Sequence, residues 1–230
     1  MGRVESELIP STDPRLKRHR VHDSRSRSFA IGATSRPPTR SGEHTRIAPI
    51  WDQGEVGSCT GNAGMGCLMT APLWRDGWAF TEADALKLYT LETMIDDREI
   101  PGHYPPDDTG SAGIYSAKAL RKMGLITGWM TAFGLNATLN ALVERPVSVG
   151  IPWPESFMTA GPDGLLKMGR RPRYAGGHQV ELTGLDCTRR LVKVAQSWGP
   201  DWGARGWGFM RWEDLGYLLA DGGDTTVYVI

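Results

Sequence analysis

The apolar patterning of this chain changes character once, near Pro146. Before that point apolar residues recur at helical spacing. "SCTGNAGMGCLMTAPLW" reads as a helix from about Ser58 to Trp74, with Ser58 as its N-cap. "TEADALKLYTLETMI" reads as a second, capped by Thr81 with acids in its first turn. "SAGIYSAKALRKMG" is a third, with Gly124 in the C′ position, and "NATLNALVE" is a short fourth stopped before Pro146. After it, "PVSVGI", "HQVELTGLD", "RLVKVAQSW", "GWGFMRW" and "TTVYVI" alternate or run apolar with glycines between them, the pattern of an antiparallel sheet. Helices followed by strands argue for an α+β fold: a helical lobe over about 58–145, then a barrel-like sheet lobe over about 146–230. With 230 residues, 40% of them hydrophobic, the chain can fill one domain or two small lobes sharing a core.

Gly61, Gly64 and Gly66 are poor helix formers. A helix that keeps them is expected to be buried, with other backbone passing close.

Residues 1–46 form a separate segment, an N-terminal arm rich in Arg, Ser and Pro. It holds ten Lys/Arg against five acids, although the whole chain is formally neutral. Little apolar periodicity runs through it, so a solvated tail is one reading. A strap across the folded domain, a pro-segment and a basic arm contacting nucleic acid are the others. Phe29 and Ile31 alternate, as in a short docked strand.

The three cysteines, Cys59, Cys67 and Cys187, have no framework spacing and point to a reducing compartment. MGRVESELIP lacks the apolar core of a secretory signal, and no run approaches the roughly 18 apolar residues of a membrane span. A cytoplasmic protein without membrane contact is expected. No CxxC pair suggests a metal site, and no cofactor motif is present.

Cys59 lies where a helix begins, in "WDQGEVGSCTGNAG". Free N–H groups and the helix dipole there lower a thiol pKa, which a nucleophile needs; a small buried residue is the plain alternative. Of five histidines, His19, His22 and His44 lie in the arm and His103 in a loop; His178 opens a strand after "AGG". Tryptophans 198, 202, 207 and 212 read as core and hairpin packing.

Three segments, in order, resemble papain-like cysteine peptidases. "DQGEVGSCTGNA" is similar to the family's nucleophile segment, "GHQVELTGLD" to its histidine strand, and "VKVAQSWGPDWGARGWGFM" to the segment of the third active-site residue. The resemblance covers roughly 47–230 and looks nearest to the bacterial and phage branch. It implies a two-lobed papain-like fold, Cys59 as nucleophile, His178 as acid and base, and Gln53 as oxyanion donor. It also implies that Trp198 shields the bond between His178 and the third residue. Gly57, Ser58 and Gly177 would let a protein or peptide substrate come close. If phage-encoded, the protein would be virion-associated or released on lysis.

Four departures stand against the family pattern. The third residue, usually asparagine, is Gln196; Thr60 replaces the tryptophan after the nucleophile; Val56 replaces an early disulfide cysteine; and no long helical pro-domain is visible. The implied reaction is thiol-dependent hydrolysis of a peptide or isopeptide bond. The rival is a papain-like fold with weak or no catalysis, used for binding or assembly. Acyl transfer through the same thioester stays open, as do substrate and oligomeric state.

Overall fold

The computed structural model describes residues 5–22, 26, 30–31, 36–96 and 100–230. Strands β1 (Glu5–Leu8) and β2 (His19–His22) pair with each other, and β3 (Gly42–Glu43) joins the main sheet. Helices α1 (Cys59–Leu68), α2 (Glu82–Met94) and α3 (Gly113–Lys122) follow. Then come β4 (Gly128–Ala132), α4 (Leu135–Glu144), β5 (Val147–Pro154), β6 (Tyr174–Asp186), β7 (Leu191–Ala195), β8 (Trp207–Arg211), α5 (Trp212–Ala220) and β9 (Asp224–Val229). The seven-stranded antiparallel sheet runs β4-β9-β5-β6-β7-β8, with β3 on β6. This is the expected α+β architecture.

Every residue of α1 is buried, and its glycines explain how. A Cβ on Gly61 would strike the Ala85 carbonyl of α2, one on Gly64 the Ser116 hydroxyl of α3, and one on Gly66 the Arg46 guanidinium. Close approach on three sides outweighs the helix-propensity cost of about 1 kcal/mol per glycine. The helix ends at Leu68, six residues short of the expected Trp74. Thr70 turns the chain there: its hydroxyl lies 3.1 Å from the Gly66 carbonyl and 2.6 Å from Glu181 on β6. Glu181 also pairs with Arg46, so α1 is tied to the sheet by a buried ionic cluster.

Two apolar clusters result. One joins Met65, Leu68 and Leu73 to Leu88, Leu120 and Ile126, with Tyr228 from the C-terminal strand. The other gathers Val149, Ile151, Trp153, Val180, Leu182, Met210 and Leu215, with Leu139 and Leu142 of α4. α4 therefore packs with the sheet although it precedes strands β5 to β9 in sequence.

Much of residues 11–22 is not a solvated tail. Leu16 and Arg18 are fully buried and His19 nearly so, with Leu16 inside the sheet cluster. Further on, Ala30 bridges Thr131 and the Ile31 N–H bonds the Thr131 carbonyl at 2.9 Å. Phe29 lies outside the described residues.

Candidate active site

Cys59 opens α1, which packs on β6, and the backbone N–H of Gln179 on that strand pulls its thiol pKa down. Gln179 is the residue after His178, so the helix start meets the histidine strand. Ser58 occupies the N-cap position without capping through its hydroxyl, which instead accepts a bond from Asn62 Nδ2 at 3.2 Å.

His178 is fully buried, and its Nε2 lies 2.6 Å from Gln196 Oε1. The same oxygen accepts the Ser197 N–H at 2.9 Å. A backbone N–H can only donate, so the acceptor end of the Gln196 amide is fixed there, and Nε2 of His178 must carry the hydrogen of the bond between them. In the neutral ring the lone pair is then on Nδ1, which has no other hydrogen-bond partner. Trp198 stacks on the imidazole with centroids 4.8 Å apart, and Trp153 meets it edge-on at 4.8 Å. Trp153 lay inside "VSVGIPWPE" with nothing in the pattern to set it apart from other strand residues.

Gln53 is held from both ends. Its Oε1 accepts the Ser197 hydroxyl at 2.6 Å, and its Nε2 donates to the Val56 carbonyl at 2.7 Å. The Gln53 N–H pairs with the Ser197 carbonyl at 2.9 Å, which fastens this loop to the segment after β7. Ser197 thus orients both glutamine side chains.

The arm runs through this cleft. Gln53 Nε2 also donates to the Arg15 carbonyl at 3.2 Å. The Arg15 guanidinium lies 4.3 Å over the Trp198 ring and pairs with Asp13 at 2.7 Å. Arg18 N–H bonds the Gly177 carbonyl at 3.1 Å and His19 N–H the Ser111 carbonyl at 2.8 Å, one contact on each wall. Glycines make room: a Cβ on Gly176 would meet the Leu16 Cβ at 2.7 Å, and one on Gly57 the Lys17 Cβ at 2.7 Å. Asp108 is tied in as well, accepting Tyr89 hydroxyl at 2.5 Å and Gly57 N–H at 2.9 Å, and pairing with Lys17 at 3.0 Å. Arg15 and Lys17 of the arm thus find acidic partners within the chain.

This covering sets the charge state. Burial pushes the Cys59 thiol up to about 12, more than the Gln179 N–H pulls it down. Burial also pushes His178 down to about 4 despite the Gln196 bond. With the arm in place the pair is a neutral thiol and a neutral imidazole.

Cys67 is buried in α1 and Cys187 sits at the end of β6, its Sγ 3.5 Å from the Pro38 carbonyl. His103 is exposed in its loop. Among the described residues no group of three or more His, Cys, Asp or Glu is placed to hold a metal. No helix among them is long and apolar enough to cross a membrane.

No protein-family model matches the chain, and no curated protein matches it by sequence. Solved structures match it closely in shape, and they are papain-like cysteine proteases. Xylellain, a cysteine protease from Xylella fastidiosa, superposes with a TM-score of 0.66 at 18% identity, covering 96% of this chain and 98% of that one. The Carica candamarcensis cysteine protease CMS1MS2 gives 0.58 at 15% identity, over 80% of this chain and 93% of its own. Bromelain from Ananas comosus gives 0.55 at 12% identity, over 80% and 94%. The chain has the papain-like cysteine protease fold.

Proposed function

We propose that this chain is a cysteine peptidase whose own N-terminal arm closes its cleft. The observation that carries the reading is the His178–Gln196 bond of 2.6 Å, which leaves Nδ1 as the free base on β6, the strand against which the helix that starts at Cys59 packs. A scaffold used only for binding has no physical need for a buried imidazole held in one tautomer. The bacterial neighbour matches nearly end to end in both chains, which supports placing this chain with the bacterial and phage branch.

Once the arm leaves, water reaches Cys59, the dipole of α1 supports the thiolate, and the proton passes from thiol to Nδ1. The thiolate attacks a peptide carbonyl carbon. The resulting oxyanion takes the place now held by the Arg15 carbonyl, facing Gln53 Nε2, with the Cys59 N–H as second donor. His178 gives its proton to the leaving amine, and the Cys59 thioester forms. Water, losing a proton to Nδ1, hydrolyses the thioester and restores the thiol. Gln196 keeps the ring in plane throughout, and Trp198 and Trp153 keep water from its far edge.

The test is labelling of the full chain by a thiol-directed epoxide at pH 6–7, read by peptide mass. Wild type, Lys17→Glu/Arg18→Glu, and that double variant carrying His178→Ala are compared. Fast labelling confined to Cys59 in the double variant, slow in wild type and slow again without His178, is the expected result. Labelling of Cys59 no faster than that of Cys187 in the loosened chain would overturn the peptidase reading in favour of a binding or assembly role.

A further inference from the structure

Arg18 sends a fully buried side chain from the arm into a slot between β5, β6 and the start of β9. At its far end the guanidinium pairs with the half-buried Asp224 and donates from Nη1 to the Gly222 carbonyl at 3.2 Å. The walls are shaved to fit: a Cβ on Gly150 would strike Nε of Arg18. On another side a Cβ on Gly113 would come within 2.9 Å of the Gln179 amide and 3.4 Å of Asp224. A carboxylate and a carbonyl at the end of a narrow, glycine-walled slot match a planar guanidinium, whose fixed fork of donors bonds both acceptors at once. The slot opens on the cleft itself. Arg18 N–H is bonded to Gly177, the neighbour of His178, and three residues back along the arm the Arg15 carbonyl faces Gln53.

We infer that this slot is a substrate side-chain pocket selective for arginine, with Asp224 the residue that sets the selectivity. The arm fills it with an arginine of its own because that is the side chain it is built to hold. The substrate class is then a polypeptide presenting an arginine within about three residues of the scissile bond, a spacing set by the reach of an extended chain. An apolar side chain in the slot would take the guanidinium from the half-buried Asp224 carboxylate and press apolar surface against it, so leucine is disfavoured rather than merely unrewarded. The cleavage part of this inference rests on the peptidase reading; recognition of the guanidinium does not.

Two measurements separate them. In full-length Arg18→Ala the slot is emptied and the strap loosened. Propylguanidinium should raise the Tm of this variant by several degrees. Propylammonium should do much less, and neither should act on wild type or on Arg18→Ala/Asp224→Asn. No selective rise in a folded Arg18→Ala chain overturns the slot. The same variant is then given a positional library of fluorogenic peptides carrying Arg, Leu or Glu. Arginine at one position should raise kcat/KM at least tenfold over leucine, and Asp224→Leu should reverse the order. Hydrolysis indifferent to arginine, or unchanged in Asp224→Leu, also overturns the inference. Guanidinium binding without hydrolysis of any peptide would support the slot and remove the peptidase.

Discussion

Gln196 Oε1 accepts two hydrogen bonds at once, from His178 Nε2 at 2.6 Å and from the Ser197 N–H at 2.9 Å. The family's usual residue at this place is the shorter asparagine. Here a glutamine oxygen reaches the ring at a full-strength hydrogen-bond distance.

Restoring the family's residue is therefore expected to harm the site. In Gln196→Asn the oxygen falls short by about 1.5 Å, one carbon–carbon bond. Gln196→Ala removes it altogether. Both variants should lose about 10²-fold in kcat, the lower end of what a positioned acid–base contributes, with KM little changed. Steady-state kinetics on any accepted peptide checks this. An asparagine variant faster than wild type would show that Gln196 holds the ring badly.

The ionic cluster under α1 makes a stability prediction. Arg46 and Glu181 are both buried, Glu181 also accepts the Thr70 hydroxyl at 2.6 Å, and Arg46 lies 4.7 Å over Trp51. Burial raises the Glu181 pKa, and Arg46 opposes it. Arg46→Met strands the carboxylate and should cost about 3–5 kcal/mol, whereas Arg46→Met/Glu181→Met, which removes both charges, should cost far less. Urea denaturation of the singles and the double decides it, and a double variant as unstable as Arg46→Met would contradict the pairing.

Most of the helices and strands were legible because periodicity is local, each apolar face repeating within its own segment; β4 between α3 and α4, and α5 between β8 and β9, were not. Cys59 is legible at a helix start, whereas His178 and Gln196 are legible only through the resemblance of their segments to papain-like peptidases. The docking of the arm left none. "STDPRLKRHR" has the composition of a solvated tail, and its burial depends on a cradle assembled from Gly57, Asp108, Ser111, Gly177 and Asp224, far apart in sequence. Trp153 was hidden likewise, because which strand residue faces His178 is decided by the register of β5 on β6. The early end of α1 is tertiary as well: Thr70 turns toward Glu181, 111 residues away.

Acid should loosen the arm. His178 in the closed form titrates near 4, below its usual 6.5, because burial disfavours the imidazolium. An opened chain in which Cys59 keeps its proton and His178 regains its usual value binds one more proton between those values, so closure weakens against that form as pH falls from about 6.5 toward 4, whereas transfer of the thiol proton to Nδ1 takes up none. The full effect is roughly 3–4 kcal/mol at about 1.4 kcal/mol per pH unit. Cys59 acts at the other end: its thiol is raised from 9.0 to about 12, so closure also weakens as pH rises through that range. Asp13, held below its usual 3.8 by its bond to Arg15, retains its contribution until more acid conditions. Epoxide labelling of Cys59 in the wild type, expressed relative to the loosened Lys17→Glu/Arg18→Glu chain at each pH, should therefore rise from pH 7 to pH 4.5. A ratio that stays flat or falls would show that the imidazole is not what closure keeps neutral.

Gln53 is the residue at which closure and catalysis pull apart. Its Nε2 donates to the Arg15 carbonyl in the closed form, and the proposed mechanism gives that same hydrogen to the oxyanion. Gln53→Ala should then do two opposite things. Losing one bond to the arm, worth about 1 kcal/mol, should open the cleft more often and speed Cys59 alkylation several-fold at pH 7. Losing an oxyanion donor should slow peptide turnover by about 10²–10³-fold, mainly in kcat. Alkylation by an epoxide forms no tetrahedral oxyanion, so it reads only the first effect. Ser197→Ala, which frees the Gln53 amide to rotate without removing it, should show both effects in weaker form. If Gln53→Ala slows alkylation and turnover in parallel, the glutamine is holding the Cys59 loop together, and its place in the oxyanion site would have to be given up.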